Sequence, residues 1–145
     1  MAASVTGQDD EQFSSEMAKL RTDLEEVASG GYWNRDGEGG TFRLIVRIVG
    51  FEHIRNHVYL QWIRESHDPN QPHVIERTVP IAEISGWRVT GQRFVLEKKQ
   101  WKIIVTAQRE NVLEDTPKIR QRFFSIVPSA DYTYRITESE VRPRI

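Results

Sequence analysis

The sequence predicts an all-β domain with one N-terminal α-helix, and three observations carry that reading. From Phe42 onward apolar and polar residues alternate in short runs, clusters of Gly, Pro, Asn and Asp punctuate those runs, and no helical period separates one run from the next. Strands joined by short links pair antiparallel, because parallel strands need long crossovers. The expected architecture is an antiparallel meander of seven or eight strands forming a barrel or a sandwich, with the helix packed on a face or open end.

The helix is expected over residues 10–28, after a disordered stretch at 1–9. Phe13, Met17, Leu20, Leu24 and Val27 recur at steps of four, three, four and three, which puts them on one stripe. Asp9 suits the N-cap with Gln12 three positions on, and Asp10 and Glu11 complement the positive helix end. Ser29, Gly30 and Gly31 supply the stop. Such a stripe needs a partner surface, since an isolated helix of this length is marginal in water. Residues 30–41, with five glycines and Asn34 and Asp36, read as a loop between helix and sheet. That loop lacks the Gly-Lys-Ser/Thr ending of a phosphate-binding loop and leads into a strand, so a phosphate role is not expected.

The strands follow in order. Phe42, Leu44, Val46 and Ile48 alternate with Arg43 and Arg47, giving an apolar inward and a basic outward face. Val58, Leu60 and Trp62 alternate with His57, Tyr59 and Gln61, before a turn over Ser66–Pro72. Val74–Val79 form a third strand that Pro80 ends or confines to an edge, and Ile81–Ile84 are read as its resumption. Trp87–Thr90 and Arg93–Glu97 are expected to be a tight hairpin about Gly91. Lys98 and Lys99 turn the chain into Trp101, Ile103, Val105 and Ala107. Glu110–Pro117 is a polar connection, Ile119–Val127 a further strand, and Tyr132, Tyr134 and Ile136 mark the inward face of the last one. Residues 138–145 read as a frayed tail, so the β domain is expected to span 10–137.

Composition narrows the function classes. At 145 residues the chain is long enough to bury a core without staples. It has no cysteine, which removes thiol nucleophiles, disulfides and zinc-thiolate sites, and no run near the ~20 apolar residues of a membrane helix. The expected location is cytoplasmic, with no membrane partner. Net charge is −1, yet it is unevenly distributed. Through Gly40 nine acids face three bases, and beyond it seventeen bases face twelve acids, so the two parts carry −6 and +5 and can attract each other.

No catalytic residue, metal ligand or cofactor is assigned. His53 and His57, and His67 and His73, fall at opposite ends of a strand, roughly 20 Å apart by strand rise, too far to share an ion. Ser66, His67 and Asp68 are adjacent in sequence and so cannot fold back on one another as a triad. There is no Gly-x-Ser-x-Gly elbow and no His-Glu-x-x-His helix. The expected function is therefore a non-enzymatic binding module, engaging a partner protein or a second copy of itself through an arginine-bearing sheet face. The residues assigned to it are Arg43, Arg47, Tyr59, Trp62, Trp101, Arg120, Arg122 and Phe124, arginines for their planar forks and aromatics for contact area. Binding of a small apolar ligand inside an aromatic-lined barrel is the alternative. Single-stranded nucleic acid comes third, because the near-neutral charge opposes it.

Overall fold

The computed structural model describes residues 22–50, 54–111 and 118–144, which form eight antiparallel strands and, among themselves, no helix. The first sheet pairs β1 (Leu24–Arg35), β2 (Glu38–Val49), β3 (Arg55–Arg64) and β4 (Val74–Pro80) in that order. The second pairs β5 (Arg88–Glu97), β6 (Gln100–Asn111), β7 (Lys118–Pro128) and β8 (Tyr134–Ser139) the same way. The all-β antiparallel expectation is met. Among the described residues no ladder joins the two sheets into a closed cylinder.

The inward faces follow the period-two alternation of the sequence. Phe42, Leu44 and Val46 of β2, Val58, Leu60 and Trp62 of β3, and Ile103, Val105 and Ala107 of β6 all join one buried cluster with Phe124 and Ile126 of β7. Both sheets contribute to it. Tyr132, Tyr134 and Ile136 pack against its rim from the end of the second sheet, on the face the sequence assigns to them.

The N-terminal elements differ from expectation. Residues 10–21 of the expected helix, and the stretch 1–9, lie outside the described residues. Leu24–Ala28, read as the helix end, instead begin β1. The cause is a bulge. Register shifts between Leu24 and Glu26, so Leu24 faces Arg47 and Val27 faces Ile45, two residues on one side of β2; a spacing of three then serves a strand as well as a helix.

Residues 30–41 are not a loop but most of a hairpin. Asp36 and Gly37, at φ 53° and 81°, form its two-residue turn, and both central residues of the turn type that suits strand twist need positive φ. Gly30 serves packing: a Cβ there would lie 2.4 Å from Cγ of Phe94 on β5, so the bare backbone lets β1 pass close to the second sheet.

Arg88–Glu97 is likewise one strand rather than a hairpin, because Gly91 sits at a bulge, with register shifting between Val89 and Gly91. The real turn is Lys98–Lys99, as expected, with φ of 50° and 62°. Ile81 and Ile84 do not resume β4. They anchor successive turns, with Ile84 N–H donating to Ile81 O at 3.2 Å, and both are buried. In the tail, residues 138 and 139 complete β8, and Glu140 pairs with Arg122 at 2.9 Å, so part of the segment read as frayed is tied down by charge.

Asn56 locks the two sheets together. It is fully buried. Its side-chain amide donates to Glu25 Oε2 and to Arg47 O, each at 3.0 Å, while its Oδ1 accepts from Val89 N–H at 2.7 Å. Its backbone N–H donates to Trp87 O at 2.8 Å, and its carbonyl accepts from Gly86 N–H at 3.1 Å. A buried polar side chain tolerates its site only when satisfied in this way. The charge imbalance of the sequence is realised here too: acids of the first forty residues pair with later arginines, Asp23 with Arg47 at 2.9 Å, Glu25 with Arg88 at 3.4 Å and Glu38 with Arg64 at 3.7 Å.

Candidate functional site

The residues assigned from sequence divide between the core and two separate surfaces. Trp62 and Phe124 are fully buried, Trp62 spanning to the second sheet by donating from Nε1 to Ser129 O at 2.8 Å. Trp101 lies against the core rim, with its ring edge-on to Tyr32 at 5.7 Å between centroids. Arg120 and Arg122 belong to β7 in the second sheet. Arg122 is held there by Glu138 at 3.2 Å and Glu140 at 2.9 Å. Only Arg43, Arg47 and Tyr59 come together, on the first sheet.

Those three share its outward face. Ladder register sets Arg43 opposite Gln61, Ile45 opposite Tyr59 and Arg47 opposite His57, and each pair points away from the cluster that Phe42, Leu44 and Val46 enter. Arg43 Nε donates to Gln61 Oε1 at 2.7 Å, and Gln61 passes the chain on to Thr78 Oγ1 of β4 at 3.1 Å. Arg47 Nε donates to Asp23 Oδ2 at 2.9 Å and its NH1 to Tyr59 Oη at 2.9 Å. The hydrogen bonds that Arg47 donates to Asp23 and then Tyr59 raise its pKa, so its charge is permanent. The outward rows Val27 and Ser29, Thr41 to Arg47, His57 to Ile63, and Ile75, Thr78 and Pro80 contain arginines and no acid. At the two edges of the face Val27 is 48 % and Ile75 50 % exposed. The surface is basic, hydrogen-bonded into fixed rotamers, and fringed by aliphatic side chains.

A second constellation escaped sequence reading. Tyr132, in the turn between β7 and β8, lies edge-on to Trp33 and Trp62 with centroids 6.2 and 5.8 Å away. The guanidinium carbons of Arg77 and Arg35 stand over the same ring at 4.9 and 5.4 Å. Arg77 is opposite Trp62 in the ladder and Arg35 is two residues beyond Trp33, so both leave the first sheet on its core-facing side, at one end of the molecule. The turn is heavily braced. Asp131 Oδ1 accepts from Ser129 Oγ at 2.8 Å and from Thr133 Oγ1 at 2.6 Å, and these bonds lower the Asp131 pKa by stabilising its charged form. Nothing local in the sequence signals this meeting of residues 35, 77 and 132.

A hollow of about 290 Å³ beside the β3–β4 connection is lined by Glu38, Arg64, Ser66, His67 and Gln71. Its arginine is already neutralised by Glu76 and Glu38. Ser66 and His67 do not align as nucleophile and base, because the backbone N–H of Ser66 donates to His73 Nδ1 at 3.1 Å and its hydroxyl serves Asp68. Among the described residues no group of three His, Cys, Asp or Glu side chains is arranged to hold a metal ion, and no helix is long and apolar enough to cross a membrane. Set against known protein families, curated protein sequences and solved structures, the chain matches none.

Proposed function

We propose that the chain is a non-enzymatic protein-interaction module whose docking surface is the outward face of the first sheet, and that it takes an acidic segment carrying apolar side chains. One observation carries this: Arg43, Ile45, Arg47, Tyr59 and Ile63 form a continuous face whose strand rows hold no acid. Charge complementarity selects the partner: Arg47 is paired with Asp23, but the Arg43 guanidinium bonds an amide and, among the described residues, no acid, so that it favours a carboxylate flanked by apolar contacts. Tyr59 supplies a rigid ring of the kind that anchors interfaces. The assignment thus contracts from the sequence-derived set to Arg43, Arg47 and Tyr59.

We read the two sheets as the layers of a sandwich, because both feed one cluster while keeping separate ladders. That reading disfavours the apolar-ligand alternative, as the rings Trp33, Trp62, Phe42 and Tyr132 already contact one another edge to face. Base stacking on Phe124 is disfavoured by its complete burial. A cytoplasmic location accords with the lack of cysteine.

The test is co-purification from the native source with wild-type, Arg43→Glu and Tyr59→Ala chains, followed by direct titration with the purified partner. Charge reversal at Arg43 is expected to weaken binding about tenfold or more, with affinity falling as salt rises. A partner bound equally by all three chains removes the proposal. Self-association lost in Arg43→Glu identifies the partner as a second copy.

A further inference from the structure

We infer that Arg35, Arg77 and Tyr132 form an anion site for a phosphoryl dianion. These residues are distinct from those of the docking face. Two guanidinium groups converge on one ring, from strands β1 and β4, and among the described residues Arg77 has no carboxylate partner. Arg35 has only Asp36, at 3.9 Å, and the Asp36 side chain is 94 % exposed, where an ion pair contributes little. Glu38, opposite Arg35 in the β1–β2 ladder, pairs with Arg64 at 3.7 Å, and Asp131, next in the chain to Tyr132, keeps its charge with Oδ1 held by the Ser129 and Thr133 hydroxyls. The two guanidinium groups on this ring thus share, among the described residues, a single solvent-exposed ion pair, and the phenol of Tyr132 adds a hydroxyl with no hydrogen-bond partner among those residues.

The ring is held where it is at a local cost. Tyr132 has φ of 68°, a left-handed conformation that a bulky residue adopts rarely, and such strain gathers at functional positions. The surrounding turn enforces it through Tyr132 N–H to Ser129 O at 3.3 Å, Ser129 N–H to Thr133 O at 2.9 Å and Trp62 Nε1–H to Ser129 O at 2.8 Å. Cation–π stacking fixes the two planar forks against a rigid wall, leaving their edge N–H groups for an oxyanion. Two charges and a hydroxyl match a tetrahedral dianion better than a planar, singly charged carboxylate. The phosphoryl group can be free or carried on a side chain.

The experiment follows the arginine Nε–Hε and tyrosine ring signals of the full-length chain by NMR during titration with inorganic phosphate, O-phosphoserine and acetate. Saturable shifts confined to Arg35, Arg77 and Tyr132, stronger for phosphate than for acetate by about tenfold, are expected from the doubled charge and bidentate geometry. Phosphoserine binding more tightly than inorganic phosphate points to a phosphorylated side chain, and equal binding to the free ion; both support the site. Arg77→Lys and Arg35→Lys keep the charge and the fold but lose the fork, and each is expected to weaken phosphate binding several-fold with unchanged melting. Linear, unsaturable shifts, equal response to acetate, or indifference to both lysine variants overturns the inference.

Discussion

The two sheets share a strand order and an inward chemistry but put their outward faces to opposite use. On the first sheet the outward rows are arginine, glutamine and tyrosine linked by hydrogen bonds, with Val27 and Ile75 exposed at the edges. On the second, Ile104 and Phe123 are 4 % and 5 % exposed although neither belongs to the shared cluster, and the Arg142 guanidinium lies over the Phe123 ring at 5.7 Å. One face is therefore dressed for solvent or a partner, and the other is covered at Ile104 and Phe123. Outward apolar residues stabilise a fold only where something of the chain's own covers them.

Truncation should separate the faces most sharply. Phe123→Ala is expected to cost about 3 kcal/mol in urea unfolding, against about 1 kcal/mol or less for Ile75→Ala, since the first removes a buried ring and the second a half-exposed side chain. Equal losses would show that both faces are covered alike. Asn56→Leu should destabilise by about 2–3 kcal/mol, because it strands the Val89 N–H, takes a donor from the Arg47 carbonyl and leaves Glu25 with Arg88 alone at the seam between the sheets. A near-neutral result would mean that the seam is wet. Gly30→Ala should cost about 1–3 kcal/mol by overpacking against Phe94, and Phe94→Leu in the same chain should recover part of it if β1 and β5 approach as described.

The smallest effect is spectroscopic. Burial, and then its hydrogen bonds to Glu83 at 2.9 and 3.0 Å, push the Tyr134 pKa up to about 12. The folded state thus holds the phenolic proton more tightly than the unfolded chain, whose tyrosines titrate near ~10. Its contribution is fully present below the unfolded value and is lost as pH rises through the folded one. Ultraviolet titration should show one late-ionising tyrosine that Tyr134→Phe removes. Its persistence in that variant would reassign the shift.

Legibility followed position in the sheets. In the central strands β2, β3, β6 and β7, neighbours on both sides hold a strict period of two, so the inward residues Phe42 to Val46, Val58 to Trp62 and Ile103 to Ala107 are readable directly. The misread strands, β1 and β5, are the first of each sheet, and both carry bulges that break the period. The Asp36–Gly37 pair is a strong hairpin signal in its own right, masked here by the surrounding glycines. The candidate site was half legible. Alternation pointed Arg43, Arg47 and Tyr59 outward, whereas Trp62 and Phe124 fell on the inward rows the same alternation defines.

The sequence by itself determined the strand chemistry: antiparallel pairing, the inward apolar rows, the Lys98–Lys99 turn and an uneven charge that resolves into ion pairs. These are local properties, set by side-chain period and turn geometry within a few residues. Tertiary structure alone decided that the strands divide four and four, that Arg120 and Arg122 lie on a different sheet from Arg43 and Arg47, and that Arg35, Arg77 and Tyr132 meet over one ring. Such meetings depend on which faces bury against each other, a long-range choice that no local pattern encodes.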